Sequence, residues 1–203
     1  MKKKLEIIIF VICFSLLGIT AAGALTIDFE GQSDSAALTN NYTGVIFSNA
    51  TVITAGITLN EGEFPPHSGT NVVFDDGGEM TIAFSTPVTN VGAYFTYEGL
   101  LTLSFYDSLD NLEGTLNSAF SSNFVSSGNP PNEFLSFASA SGISKAIILG
   151  DPAGASFVMD DLTFNPLSTA VPEPSTLLLL AGGFWGIAGV AKAAGRANYP
   201  IGI

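Results

Sequence analysis

Chemistry in this chain has to be built from few parts. One histidine, His67, lies in Phe64-Pro65-Pro66-His67-Ser68-Gly69, and one cysteine, Cys13, lies in the first apolar segment. A hydrolytic triad needs a histidine set between an activated serine and an orienting carboxylate. No nucleophile-elbow pattern surrounds any serine of the chain. A lone loop histidine is more often hydrogen-bonded or solvated than catalytic, and without a thiol zinc is left with carboxylates as co-ligands. Carboxylates are plentiful, at 18 Asp and Glu. Two of them facing each other across a cleft, roughly 5 to 10 Å apart, would perform glycosidase chemistry. A different chemistry is offered by Val171-Pro172-Glu173-Pro174-Ser175-Thr176. Its prolines exclude a regular helix or central strand and push their neighbours toward extended geometry, so Glu173 stands on a stiff, protease-accessible backbone.

The residues after that motif must position it. Ser175 or Thr176 supplies an N-cap oxygen for the uncharged run Leu177 to Ala191, which is apolar on every face. Only a buried or a membrane helix tolerates such a surface. At ~1.5 Å per residue the run nears the ~30 Å hydrocarbon core once Ala193 and Ala194 join it and Lys192 snorkels. That predicts a transmembrane helix over 177–194. The positive-inside rule keeps Lys192, Arg196 and a cytoplasmic tail, 197–203, inside, and places the prolines outside.

In order, spacing and polarity, Val171 through Arg196 resembles the PEP-CTERM sorting signal, also labelled in some schemes an ice-binding-protein C-terminal domain. The resemblance implies that Pro172, Glu173 and Pro174 are the sorting motif, recognised by an exosortase-type membrane protease-transpeptidase that cuts in or near it. Family tails usually stop just after an Arg-rich cluster, whereas this chain has only Lys192 and Arg196 and runs on to Ile203. The other reading of the segment is a single-span anchor that is never cleaved.

The chain opens with a second targeting pattern. Lys2-Lys3-Lys4, an apolar stretch from Leu5 to Ile19 interrupted by Glu6, and the small residues Ala22-Gly23-Ala24 form a secretory signal over 1–24. Signal peptidase would cut between Ala24 and Leu25. Cys13 lies inside this segment, so the exported part holds no thiol for a disulfide, a thiolate metal site or a nucleophile.

Residues 25–166 make one domain, long enough to bury roughly two thirds of its unfolded surface, and 167–170 form a short linker to the tail. The net charge is −12, and Lys145 is the only cation between the two terminal segments. Such a domain does not bind nucleic acid by neutralising phosphates. Its hydrophobic period is mostly two, broken by Gly, Asn, Asp, Ser and Pro, with turn chemistry at Asp75-Asp76-Gly77-Gly78 and at Asp107 to Asn111. The pattern predicts eleven strands, 25–29, 45–48, 51–59, 71–74, 80–84, 88–97, 101–106, 112–119, 133–138, 145–149 and 156–164. Many short strands with polar turns mean an all-β, antiparallel sandwich or barrel, flanked by the signal-peptide helix and the C-terminal transmembrane helix.

Thr26 to Gly31 and Phe157 to Phe164 look like the first and last strands of jelly-roll carbohydrate-binding and lectin-like modules. That resemblance implies end strands paired side by side, with Glu30, Asp160 and Asp161 as ligands of a structural calcium, an ion that prefers several hard oxygens. Acids at strand ends also serve simply to face water or cap turns. Tyr94, Phe95, Tyr97, Phe105 and Tyr106 are candidates for stacking on sugar rings or for filling the core. The expected protein is an exported, non-enzymatic β-sandwich, sorted to the cell surface or matrix and associated with extracellular polysaccharide. The alternative is a small secreted hydrolase acting through two carboxylates.

Overall fold

The computed structural model describes residues 23–167, so the signal segment before Gly23, the linker from Ser168, the sorting tail and both expected helices lie outside the described residues. Within 23–167 the chain is all-β and antiparallel, with one short 3-10 turn at Val125–Ser127. Nine strands form: β1 Leu25–Ile27, β2 Val45–Ser48, β3 Ala50–Thr54, β4 Asn71–Asp75, β5 Met80–Tyr97, β6 Thr102–Tyr106, β7 Leu112–Asn117, β8 Glu133–Leu149 and β9 Phe157–Pro166.

The ladder order is β3-β4-β9-β5-β8-β6-β7, with β1 added on β9 and β2 on β5. Two strands are long enough to serve both layers. Met80 to Ala83 of β5 pairs with Lys145 to Ile148 of β8, whereas Asn90 to Phe95 pairs with Glu133 to Ala138, and the register shifts in between. At that break Pro87 has no amide to donate and Gly142 takes φ +93°, so the ladder is interrupted where both strands pass from one layer to the other. The eleven expected strands therefore become nine because two pairs fuse across this bend. Strand 51–59 is also shorter than expected: Ile57, Thr58 and Leu59 all donate their amides to the Thr54 carbonyl, closing a turn around Gly56.

Inward side chains of the two layers meet. Val91, Ala93, Phe95, Leu135, Met159 and Leu162 face Ile82, Leu103, Phe105, Ala146 and Ile148 around one small apolar space, the mark of a sandwich. Phe29, Phe47, Tyr97 and Phe157 complete this core, each at most 1 % exposed. Burying such a side chain contributes roughly 1.5–3 kcal/mol. The end strands do lie side by side, Leu25 opposite Phe164 and Ile27 opposite Leu162.

A second, smaller apolar cluster lies apart from the main core. Leu59, Val72 and Val158 pack with Ile53, Phe64 and Phe74, which fastens the long β3–β4 connection to strands β3, β4 and β9. This connection carries His67.

Candidate functional site

The site forms where the β3–β4 connection meets β9 and β5. Between the pairs Gly92/Thr163 and Tyr94/Asp160 the register of β5 and β9 slips, and Asp161 takes φ +49°. This bulge sets the two neighbouring carboxylates against the same segment of the connection. Asp160 Oδ2 accepts the amides of His67 at 2.8 Å and Ser68 at 2.9 Å, while its Oδ1 accepts the Asp161 amide at 2.7 Å. Asp161 takes the side chains of the same pair, His67 Nδ1 at 2.7 Å and Ser68 Oγ at 2.9 Å. Glu30 continues the clamp: Oε1 accepts the Thr70 and Asn71 amides at 2.8 and 2.7 Å, and Oε2 accepts Thr70 Oγ1.

The three acids expected to be ligands do meet one loop, 67–71, but each of their six oxygens accepts a hydrogen bond from it or from the neighbouring backbone. Among the described residues no three Asp, Glu, His or Cys side chains converge on a point where an ion could sit. As placed, Glu30, Asp160 and Asp161 hold this loop and are not gathered about a common point. Amides of 67–71, left over because the segment makes no ladder, donate to Asp160 and Glu30, and the side chains of His67, Ser68 and Thr70 add to the clamp.

Asp160 is 1 % exposed, and burial pushes its carboxyl up to about 6 against the pull of the Ser68 and His67 amides, with the Asp161 charge adding to the rise. Asp161 Oδ2 pairs with the Nδ1 edge of the His67 ring. Ser68 Oγ donates to Asp161 and not to the imidazole, so the three side chains hold the loop and do not form an activated serine.

The clamp fixes more than a loop. The His67 ring lies flat on Tyr94, centroids 3.4 Å apart and planes 8° apart, and Tyr94 in turn meets Phe134 at 4.9 Å and 48°. Tyr94 and Phe134 are opposed across β5 and β8 on the outer face, and Phe134 is 49 % exposed. Gly92 makes this possible, because a Cβ there would sit 2.8 Å from Phe134 Cζ and 2.7 Å from Ser136 Cβ. The ring leans across the neighbouring strand into that space.

Of the aromatic residues singled out from sequence, Phe95, Tyr97 and Phe105 are core, at most 2 % exposed. Tyr106 lies beneath Lys145, and only Tyr94 belongs to the outer row. Phe134 was missed. The signal was available, since Leu135 and Phe137 point inward and alternation sends Phe134 out. The Tyr97 hydroxyl, pushed up to about 12 by burial and by its bond to Glu133, accepts the Phe120 amide, while Glu133 accepts the Ala119 amide, and the two tether this loop. Asp75 also differs from expectation. It ends β4 fully buried and accepts the Ser156 amide at 2.9 Å, Ser156 Oγ at 3.1 Å and the Phe157 amide at 3.2 Å, leaving Asp76, Gly77 and Gly78 to make the turn. Of the expected signal-cleavage pair, Ala24 is exposed and Leu25 opens β1 at 51 % exposure.

Comparison with known proteins agrees with the tail. Residues 170–193 match the PEP-CTERM protein-sorting motif, and the ice-binding label sometimes given to such tails has no support. No curated protein matches the chain. Among solved structures, the K2 cleaved adhesin domain of Lys-gingipain is similar at 12 % identity and TM-score 0.45, over 70 % of this chain and 99 % of its own. The CBM22-1 xylan-binding domain from Paenibacillus barcinonensis Xyn10C gives 12 % and 0.40 over 75 % and 100 %. A carbohydrate-binding module of family 29 gives 9 % and 0.38 over 71 % and 89 %.

Proposed function

We propose that this protein is exported, held in the membrane by its C-terminal segment, and sorted to the cell surface or extracellular matrix by an exosortase-type enzyme acting at Pro172-Glu173-Pro174. Signal peptidase acts first, between Ala24 and Leu25. The β-sandwich is a non-catalytic binding module associated with extracellular polysaccharide. The observation that carries this reading is the sorting-motif match at 170–193, which begins within three residues of Leu167, the last residue described. A module so attached is delivered to a surface along with whatever it binds.

The folded domain supports a binding role over a hydrolytic one. Its lone histidine, the adjacent serine and the two neighbouring aspartates are all spent on closing a loop. Paired acids of a glycosidase stand apart across a cleft, whereas Asp160 and Asp161 are sequence neighbours bonded to the same two residues.

Replacing Pro172, Glu173 and Pro174 together by alanine tests the sorting role. The variant is expected to accumulate in the membrane fraction and to be lost from the surface and medium. Surface display equal to that of the wild type would remove the proposed function.

A further inference from the structure

The row His67, Tyr94, Phe134 has no part in folding the core, yet it is built with care. We propose that it is a docking strip for an uncharged polysaccharide, with the face of a pyranose ring lying on Phe134. This deepens the surface-protein reading and rests on it.

Three features point to such an occupant. Phe134 is half exposed one residue into the paired strand β8, and its outward neighbours on β8, Ser136 and Ala138, are small and exposed, so the ground beside the ring is open. The negative face of an aromatic ring favours the C–H edges of a sugar, and Ser136 offers a hydroxyl beside it. The row is also held in advance: Asp161 fixes His67, His67 covers one face of Tyr94, and Tyr94 backs Phe134. Rings already in place lose little freedom on binding. Planes turned by 48° between Tyr94 and Phe134 make a twisted strip, suited to a chain that is itself twisted.

Charge selects within the class. All acidic residues except Glu6 and Glu173 belong to residues 25–167, where Lys145 is the sole cation. That lysine is paired with Asp110 at 2.6 Å and lies over Tyr106. Asp160 and Asp161 stand directly behind His67. A polyuronate or sulfated glycan would meet a field of its own sign. A second copy of the chain is a poor occupant, because a stable protein interface needs about 800 Å² per partner and the strip offers one strongly exposed ring.

The test uses the exported protein purified from its producing cells and run in native gels containing a neutral β-glucan, a galactomannan or a xylan, with polygalacturonate as the anionic counterpart. The wild type should be retarded by at least one neutral glycan and unaffected by polygalacturonate. Phe134→Ala should weaken the retardation about tenfold, and Phe134→Trp should retain it. Because Phe134 is half exposed and outside the core, Phe134→Ala should still unfold in a single cooperative transition. Lack of retardation by all three neutral glycans, equal retardation of Phe134→Ala, or stronger retardation by polygalacturonate overturns the strip. Phe134→Ala should still reach the surface normally. Glycan silence with normal delivery removes only this inference, whereas failure of the wild type to leave the cell removes the sorting reading beneath it.

Discussion

Asp160 shows at the scale of one residue how the site is held. Its carboxyl is buried and accepts three amides, and desolvation still raises it from an ordinary 3.8 to about 6. An acid whose folded value lies above its unfolded one takes up a proton on folding. Its contribution to stability is therefore fully present below about pH 4 and is lost as the pH rises through about 6. Thermal melts of wild type and Asp160→Asn between pH 4 and 7 check this. Wild type should gain on the variant as the pH falls across that window, by no more than about 1.4 kcal/mol per pH unit. Parallel curves would show that the carboxyl stays ionised. The sequence pointed to Glu30, Asp160 and Asp161 as a set of acids acting together, and they do act on one loop. That they share the amides and side chains of residues 67–71 was hidden, because nothing in residue types tells which amides a loop leaves unpaired.

Elements raise a different question, namely what stops a strand. Alternating polarity located β2 and β6, each with one face in the core, whereas β4 and the first half of β9 are apolar on both faces because Val72 and Val158 enter the second cluster. It could not show that 80–84 and 88–97 are one strand, or that 133–138 and 145–149 are another. Pro87 and Gly142 look like ends to a local reading, but a strand can bend and continue when its neighbour bends with it. Asp75 was hidden for a related reason: in Asp75-Asp76-Gly77-Gly78 the turn begins one residue later than composition suggests. The side chain of Asp75 ties β4 to the start of β9 through the Ser156 and Phe157 amides. Asp75→Ala removes the acceptor of three buried donors, the Ser156 and Phe157 amides and the Ser156 hydroxyl, and should lower stability by about 2–4 kcal/mol, seen as a shift in the urea midpoint. Asp75→Asn, which keeps one acceptor oxygen, should cost less.

For the whole molecule the ends of the domain matter most. β1 begins at Leu25 and lies against the last residues of β9, so the two ends of the described domain are neighbours. The opposite ends of β9 and β5, at Phe157 and Tyr97, are paired at the far side of the same sheet. The two termini of the domain therefore lie together, and the His67–Tyr94–Phe134 row crosses β5 and β8 on its outer face. Sorting was the most legible property of all, because Pro172-Glu173-Pro174, an uncharged run and two cations are read by order along the chain and need no fold. The ligand was the least legible, because an exposed ring is recognised only once its strand has been given a face.

Intact-mass analysis of the exported protein, from cells with and without the sorting protease, tests the central claim most directly. The account predicts a product starting at Leu25 and ending near Pro174 when the protease is present, and one extending to Ile203 when it is absent. Identical masses reaching Ile203 in both would contradict it and leave a permanent anchor.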